Sequence, residues 1–209
     1  MGAAEVALLR DGPADAADRV LLAHGAGQGM DSPFMAGFAA GLAANGMHVA
    51  RFEFPYMRRR RAEGVKAPPD RQPVLLDAWR AALDAFGDGP RCVIGGKSLG
   101  GRMAAAIADA AGARALLCLG FPFHPPGKPD RLRLADLAGI ATPTLILQGT
   151  RDPFGTPEEV AGYALSPAVR IHWIADGDHS WHPRKASGRS DADTLAEGVA
   201  AAAAFITAC

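Results

Sequence analysis

Residues 92–107 read CVIGGKSLGGRMAAAI: an apolar run, a glycine-rich turn with a serine at its centre, and a helix-forming segment. This order predicts a strand, a sharp turn and a helix, with Ser98 at the apex in the pattern G-x-S-x-G. A serine on so tight a turn needs neighbours without side chains, because strand and helix must pack closely while the hydroxyl stays exposed. The neighbours are Gly95, Gly96, Gly100 and Gly101. We therefore predict that Ser98 is a nucleophile; a βα turn without chemical consequence is the alternative.

The size and charge of the chain set the frame for this motif. Its 209 residues predict one domain, spanning 1–209, that is large enough to bury a core without metals or disulfides. The 22 basic residues balance the 22 acidic ones, so no overall field favours nucleic acid or a membrane surface. We expect a small-molecule substrate as the partner, while the sequence does not define the oligomeric state.

Cysteine usage and the first residues bear on the compartment. The cysteines are Cys92, Cys118 and Cys209, and the first two lie in apolar runs, where cysteine usually behaves as a small buried hydrophobe. Three cysteines are an odd number, which indicates a reducing compartment and no disulfide framework. The chain begins without a basic segment followed by a long apolar one, and no stretch is long enough to cross a bilayer. We therefore expect a cytoplasmic protein.

Short apolar runs alternate with segments of helical periodicity along the chain. This alternation predicts an α/β fold with a mainly parallel sheet of about six to seven strands and helices on both faces. Predicted strands span 6–9, 19–23, 48–54, 91–95, 115–120, 144–149 and 169–174, and predicted helices span 33–44, 73–86, 99–111, 132–138, 157–164 and 193–208. Pro33, Pro73 and Pro157 suit first-turn positions, and Ser32 and Thr156 are candidate N-caps.

A glycine-rich loop, His24 to Gly29, follows the strand predicted at 19–23. Such a loop allows a backbone N–H to approach a substrate, and the residue after a nucleophilic serine supplies a second N–H. The candidate oxyanion donors are therefore Leu99 with Ala26 or Gly27. A phosphate-binding loop is the alternative, but no phosphate-binding glycine pattern fits these residues. We expect His24 to orient the loop by hydrogen bonding rather than to transfer a proton, and it is also a candidate substrate-binding residue.

A serine nucleophile needs a histidine base, and the histidine needs a carboxylate to fix its tautomer. In sheets of this kind the acid and then the histidine follow the serine in the chain, each just after a strand. Asp152 follows the strand predicted at 144–149, and His179 follows the last one. Both positions meet this requirement, so we predict a catalytic set of Ser98, Asp152 and His179.

Other side chains compete for these two roles. Asp176 and Asp178 lie close to His179 in the same loop, where adjacent side chains usually point apart. His182 is the rival histidine, whereas His172 lies inside a strand pattern typical of a structural side chain. A metal site is a further alternative, but the histidines are scattered and no zinc-binding spacing occurs, so we predict neither a metal nor a cofactor.

The strand, the elbow and the late Asp152 and His179 resemble those of an α/β-hydrolase, of the small cap-less kind similar to dienelactone hydrolase. The likeness spans nearly the whole chain, although this elbow carries serine where dienelactone hydrolases use cysteine. More narrowly, the segments 51–56, 96–102, 124–129 and 148–155 resemble a little-characterised group of such proteins. The resemblance implies the α/β-hydrolase fold and the serine, aspartate and histidine roles of Ser98, Asp152 and His179.

Two segments are candidates for shaping the substrate pocket. The proline-rich segment 124–129 follows a strand end, the edge where open α/β sheets bind ligands, and offers His124 and Lys128 as substrate contacts. The prolines also fit a simple chain turn. The basic segment 57–66 contains four consecutive arginines, among them Arg59, and could attract an anionic group, although such runs are more often solvated loops.

These observations predict a serine hydrolase that acts on an ester or thioester, or on a lactone or amide, through an acyl-enzyme. The short connection after the strand at 115–120 leaves no room for a long cap and indicates an open cleft for a small or flexible acyl group. Two alternatives remain: a non-catalytic interaction module on the same scaffold, and an acyltransferase using the same residues.

Overall fold

A mainly parallel sheet forms the centre of the molecule. The computed structural model describes residues 6–64, 67–87 and 91–209. Within these ranges the strands are β1 (Leu8–Asp11), β2 (Arg19–Ala23), β3 (His48–Phe52), β4 (Cys92–Lys97), β5 (Ala115–Leu119), β6 (Thr144–Gly149) and β7 (Val169–Ile174). They pair in the order β1-β3-β2-β4-β5-β6-β7, and β1 is antiparallel to β3 while the other pairs are parallel. The predicted fold class is confirmed.

The connecting helices in the described ranges are α1 (Pro33–Ala44), α2 (Pro55–Glu63), α3 (Gln72–Phe86), α4 (Leu99–Ala105), α5 (Ala135–Ala138), α6 (Pro157–Val160) and α7 (Asp191–Ala208), with a 3₁₀ turn at Lys185–Ser187. Both predicted N-caps are confirmed. The Ser32 hydroxyl accepts a hydrogen bond from the Met35 amide, and Thr156 forms a reciprocal capping box with Glu159. No described helix is both long enough and apolar enough to span a bilayer.

The sheet is covered on both faces, which explains why its central strands are largely apolar. One face packs Leu21, Ile94 and Ile146 against α3 residues such as Trp79. The opposite face packs alternate strand residues against α1 and α7, and α1 and α7 also contact each other. Because βα units place each strand's carboxyl end at the same edge, the loops after β2, β4, β6 and β7 converge there.

Several predicted boundaries are wrong, and the helix α2 was not predicted at all. The strand predicted at 6–9 lies two residues later, β3 ends at Phe52 rather than at residue 54, and α4 ends at Ala105 rather than at residue 111. The arginine run, expected as a solvated loop, lies within α2, which begins at Pro55 and ends before the left-handed Gly64. Residues 65 and 66 of that basic segment lie outside the described residues.

Candidate active site

The turn between β4 and α4 holds Ser98 in a backbone conformation that residues with side chains rarely adopt. Its φ is 50° and its ψ is −108°, and such strain persists only where the surroundings enforce it. The neighbouring glycines provide the space: a Cβ on Gly96 would lie 2.1 Å from the Ala23 carbonyl oxygen, and one on Gly100 would lie 2.3 Å from the same atom. The Ser98 amide donates to the Leu119 carbonyl (3.1 Å), which ties the turn to β5.

Asp152 and His179, predicted from chain order, lie in direct contact. The Nδ1 of His179 is 2.7 Å from Oδ2 of Asp152, a carboxylate with no exposed surface. The buried carboxylate also accepts hydrogen bonds from the Gln148 side-chain amide (2.9 Å) and from the Phe154 backbone amide (2.9 Å). An ionised carboxylate is an acceptor only, so Nδ1 of His179 carries the proton and Nε2 keeps its lone pair.

Ser98 and His179 line one cavity of about 320 Å³ at the carboxyl edge of the sheet. The other walls are formed by the loop after β2, the start of α1, Lys97, Phe154 and Ser180. The Phe154 ring lies 4.2 Å from the His179 ring, centroid to centroid, and restricts the orientation of the imidazole. No hydrogen bond joins Ser98 to His179, although both residues line the same cavity.

The rival side chains have other partners. Asp176 pairs with Arg184, and Asp178 accepts from the backbone amides of Ser180 (2.8 Å) and His182 (3.0 Å), which shapes the loop that carries His179. His182 is 60% exposed, contacts Asp191 and does not line the cavity with Ser98. His172 lies on β7 and contacts Glu197 (2.9 Å). His179 and Asp152 are therefore the histidine and carboxylate that the fold brings towards Ser98.

The backbone amides of Ala26, Gly27 and Leu99 donate no hydrogen bond to any described residue. Leu99 begins α4, so its N–H has no carbonyl partner within the helix. Ala26 and Gly27 line the cavity from the facing loop. The predicted oxyanion donors are thus free to bind a substrate oxygen, although that role stays a prediction.

Lys97 is a part of the site that the sequence reasoning missed. Its ammonium group donates to the backbone carbonyl of His179 and lies 5.6 Å from the centroid of the Phe34 ring. Gly120 leaves the space, since a Cβ there would lie 2.9 Å from Lys97 Nζ and 3.3 Å from His179 Cε1. The lysine therefore links the elbow to the histidine loop. The sequence feature that could have identified Lys97 is its position next to Ser98, as a charged residue in a turn made mostly of glycines.

Burial and nearby charges shift the pKa values of these groups. Burial lowers the pKa of His179 below its usual value, against the effect of the hydrogen bond to Asp152, and the Lys97 charge lowers it further. Burial also lowers the pKa of Lys97 to about 8, although Asp152 and Asp178 favour its charged form. His179 is thus neutral, the form a general base requires, at pH values above its lowered pKa.

The four candidate substrate-binding residues lie outside this cavity wall. His24 has no exposed surface, and its two ring nitrogens contact the Gly25 carbonyl (2.7 Å) and the Phe54 amide (3.1 Å). It orients the loop as expected. His124 is buried between the Pro125 carbonyl and Glu159, Lys128 is exposed on the surface, and Arg59 pairs with Asp70. None of the four lines the cavity with Ser98, and their role in substrate binding stays a prediction.

Within the described ranges, no three His, Cys, Asp or Glu side chains gather in a way that could hold a metal ion. The three cysteines, Cys92, Cys118 and Cys209, all lie in the described ranges and form no disulfide. The polar groups of the cavity walls are three serine hydroxyls, the Gln28 side-chain amide, the His179 imidazole, the Lys97 ammonium group and backbone amides.

A sheet of this topology with a strained serine elbow, followed by an aspartate and a histidine after later strands, defines the α/β-hydrolase class of fold. Residues 16–207 match a protein family described as an alpha/beta hydrolase domain. That span covers most of the chain, so the protein belongs to this family. The predicted resemblance is confirmed.

Solved structures of several hydrolases share the fold. A lid-less α/β serine hydrolase from Xanthomonas campestris is 21% identical over 96% of each chain, with a TM-score of 0.64. The dienelactone hydrolase from Anabaena variabilis is 20% identical, with a TM-score of 0.71 over 97% of this chain and 91% of its own. An α/β serine hydrolase homologue from Coxiella burnetii is 19% identical, with a TM-score of 0.68 over 93% and 89%. These identities establish a common fold.

Proposed function

We propose that this protein is a serine hydrolase that cleaves a carboxylic ester or thioester through an acyl-enzyme formed on Ser98. One observation carries the proposal: the hydrogen-bonded pair of Asp152 and His179 opens onto the same cavity as a serine on a strained elbow. A tight turn alone has no need of a buried carboxylate and a neutral imidazole beside it. Family membership independently supports hydrolase activity.

In the proposed reaction, Nε2 of His179 accepts the hydroxyl proton of Ser98 as Oγ attacks the substrate carbonyl carbon. Asp152 holds the imidazole by the Nδ1 hydrogen bond and stabilises the imidazolium that forms. The amides of Leu99 and of Ala26 or Gly27 bind the oxyanion of the tetrahedral intermediate. The imidazolium then protonates the leaving alcohol or thiol, and water, activated by the same histidine, releases the acid.

The cavity favours a small acyl substrate. A volume of about 320 Å³ lies at the lower end of the range for small-molecule sites. Phe34, Met35 and Phe154 line it, and most of its lined surface is apolar although Gln28 and Ser32 also contribute, which suits an apolar acyl group of modest length. An ester or thioester fits this setting better than a large polar substrate, and a lactone or amide presents the same carbonyl chemistry.

The experiment compares the wild type, Ser98→Ala and Ser180→Ala in two assays. One assay follows hydrolysis of p-nitrophenyl esters and acyl thioesters with chains of increasing length; the other follows labelling by a fluorophosphonate probe. Ser180 lines the same cavity without the elbow conformation, so its variant is the matched control for loss of a hydroxyl. We expect the wild type and Ser180→Ala to label and Ser98→Ala to remain unlabelled and inactive.

Other outcomes contradict the proposal in identifiable ways. A wild type that neither labels nor hydrolyses any of these substrates, like Ser98→Ala, would show a non-catalytic use of the scaffold. Labelling that survives in Ser98→Ala would place the nucleophile elsewhere. Esters formed with an added alcohol, or thioesters formed with an added thiol, in preference to the free acid, would identify an acyltransferase instead.

A further inference from the structure

Side chains donate hydrogen bonds to carbonyl groups of the loop after β2 and so fix its conformation. The Gly25 carbonyl accepts hydrogen bonds from Nδ1 of His24 (2.7 Å) and from the Tyr56 hydroxyl (3.1 Å). His24 Nε2 accepts the Phe54 backbone N–H (3.1 Å), so the single proton of the neutral ring lies on Nδ1, where it is donated. Burial lowers the pKa of His24 and raises that of Tyr56, which keeps both groups in these donating forms.

The next carbonyl of the loop is held from the arginine run of α2. Nη1 of Arg60 donates to the Ala26 carbonyl (3.2 Å), and its Nε donates to the Ala67 carbonyl (2.5 Å). The guanidinium group also lies over the Tyr56 ring, 5.1 Å from the centroid. Tyr56 and Arg60 are four residues apart on α2, so their side chains are neighbours on one helix face. Together they donate hydrogen bonds to the carbonyls of two successive peptide groups of the loop.

Peptide planarity turns these contacts into an orientation for the amides. In a trans peptide, the C=O of one residue and the N–H of the next point in opposite directions. Fixing the Gly25 carbonyl on the side of His24 and Tyr56 turns the Ala26 N–H the opposite way, and fixing the Ala26 carbonyl does the same for the Gly27 N–H. The donor side chains of His24, Tyr56 and Arg60 do not line the cavity, whereas Ala26 and Gly27 do.

We infer that Tyr56 and Arg60 are positioning residues that aim the amides of Ala26 and Gly27 at the substrate oxyanion. The inference rests on the proposed function and deepens it, since a preorganised donor lowers the barrier without rearranging during the reaction. It also gives the arginine run a role other than the two considered from the sequence, a solvated loop and the attraction of an anionic group.

The neighbouring arginine strengthens the attachment of α2 to this loop. Arg61 forms a two-point contact with Asp31 (2.8 and 2.9 Å) at the far end of the loop and also pairs with the buried Glu53 (2.8 Å). From β3, Arg51 donates to the Met30 carbonyl (2.8 Å). The loop is thus fixed at both ends, and the Tyr56 and Arg60 contacts set the orientation of its first two peptides.

The test uses Tyr56→Phe, Arg60→Gln and the double variant, with Arg58→Gln as the matched control. Tyr56→Phe removes one oxygen and keeps the buried ring, so the fold is retained. Arg58 is exposed on the same helix and lies outside the cavity wall, so its variant removes an equal charge. The measurements are kcat and KM for p-nitrophenyl acetate, the rate of fluorophosphonate labelling, and the melting temperature.

Loss of a whole oxyanion donor lowers kcat by about 10²–10³. For amides that are misaimed rather than lost, we expect kcat to fall roughly tenfold in each single variant and roughly a hundredfold in the double variant, with KM within about twofold. Labelling should slow in parallel, because the probe also passes through an oxyanionic state, and Arg58→Gln should match the wild type.

Two results overturn the inference while leaving the proposed function intact. One is an unchanged kcat in the double variant; the other is a kcat loss that Arg58→Gln shares or that follows a loss of melting temperature. A wild type without hydrolysis or labelling contradicts the proposed function itself, and this inference with it.

Discussion

Replacing Asp152 by asparagine removes one of the two carboxylate oxygens, and both of them accept hydrogen bonds in the site. One carboxylate oxygen accepts from both His179 Nδ1 and the Gln148 amide, and the other accepts from the Phe154 backbone amide. Asparagine has a single acceptor oxygen, so its NH₂ group must face a donor on one side or the other. If the NH₂ group faces His179, the imidazole must move its proton to Nε2 and loses the lone pair that accepts the serine proton.

The size of the effect follows from these contacts. Loss of the productive tautomer at such a site lowers kcat by about 10⁴, which corresponds to about 5 kcal/mol in the barrier. One unsatisfied buried donor costs about 1–3 kcal/mol of stability. For a chain of this length that predicts a fall in melting temperature of about 2–12 °C, so the variant stays folded while nearly inactive.

The assay measures kcat for a short p-nitrophenyl ester, together with the melting temperature, for Asp152→Asn and for Asp178→Asn as a control. Asp178 uses one oxygen for both of its backbone contacts, and asparagine retains that oxygen. We expect Asp178→Asn to keep most of the wild-type kcat. If Asp152→Asn keeps more than about a tenth of it, the assignment of the carboxylate to the catalytic set is wrong, because asparagine in either orientation lacks the negative charge that stabilises the imidazolium.

Three further predictions test separate parts of the site. His179→Gln should lower kcat by at least about 10³, whereas His182→Gln should leave it near the wild-type value, and equal effects in steady-state assays would contradict the choice of base. The pH profile of kcat/KM should rise through a pKa below that of free histidine, because burial favours neutral His179. In Lys97→Met this rising limb should move to higher pH, because the positive charge that lowers the pKa of His179 is lost. Asp152 and Asp178 still favour the imidazolium in that variant. An unmoved limb would exclude that charge effect. Gly100→Ala should lower stability by about 1–3 kcal/mol in denaturant unfolding, since its Cβ would overlap the Ala23 carbonyl, whereas Gly139→Ala has open space.

Periodicity and chain order account for much of the architecture. β2 and β6 are buried along almost their whole length and are largely apolar, and both have their predicted bounds. The edge strand β7 also has its predicted bounds, although most of it is only partly buried. The edge strand β1 is half exposed and short, which leaves its apolar pattern too weak to fix its ends. The helix α2 has four arginines and no apolar stripe, so periodicity could not reveal it; its contacts with the loop after β2 hold it in place.

The candidate site, like the fold, could be predicted from the sequence only in part. Chain order identifies Asp152 and His179, since each follows a strand whose carboxyl end lies at the same edge. Sequence alone could not place His124 or Lys97, because one turns into a buried contact with Glu159 and the other folds under the histidine loop. Such outcomes depend on side-chain direction, which adjacency in the chain does not determine.

The central claim is that Ser98 forms an acyl-enzyme, and trapping that intermediate tests it most directly. The wild type is mixed briefly with a p-nitrophenyl ester at low pH, where protonated His179 slows deacylation, and is then quenched and examined by mass spectrometry of its peptides. We predict one acyl group per chain, on the peptide containing Ser98, and none in Ser98→Ala. An acyl group on another residue, or ester turnover that leaves Ser98 unmodified at every quench time, would contradict the claim.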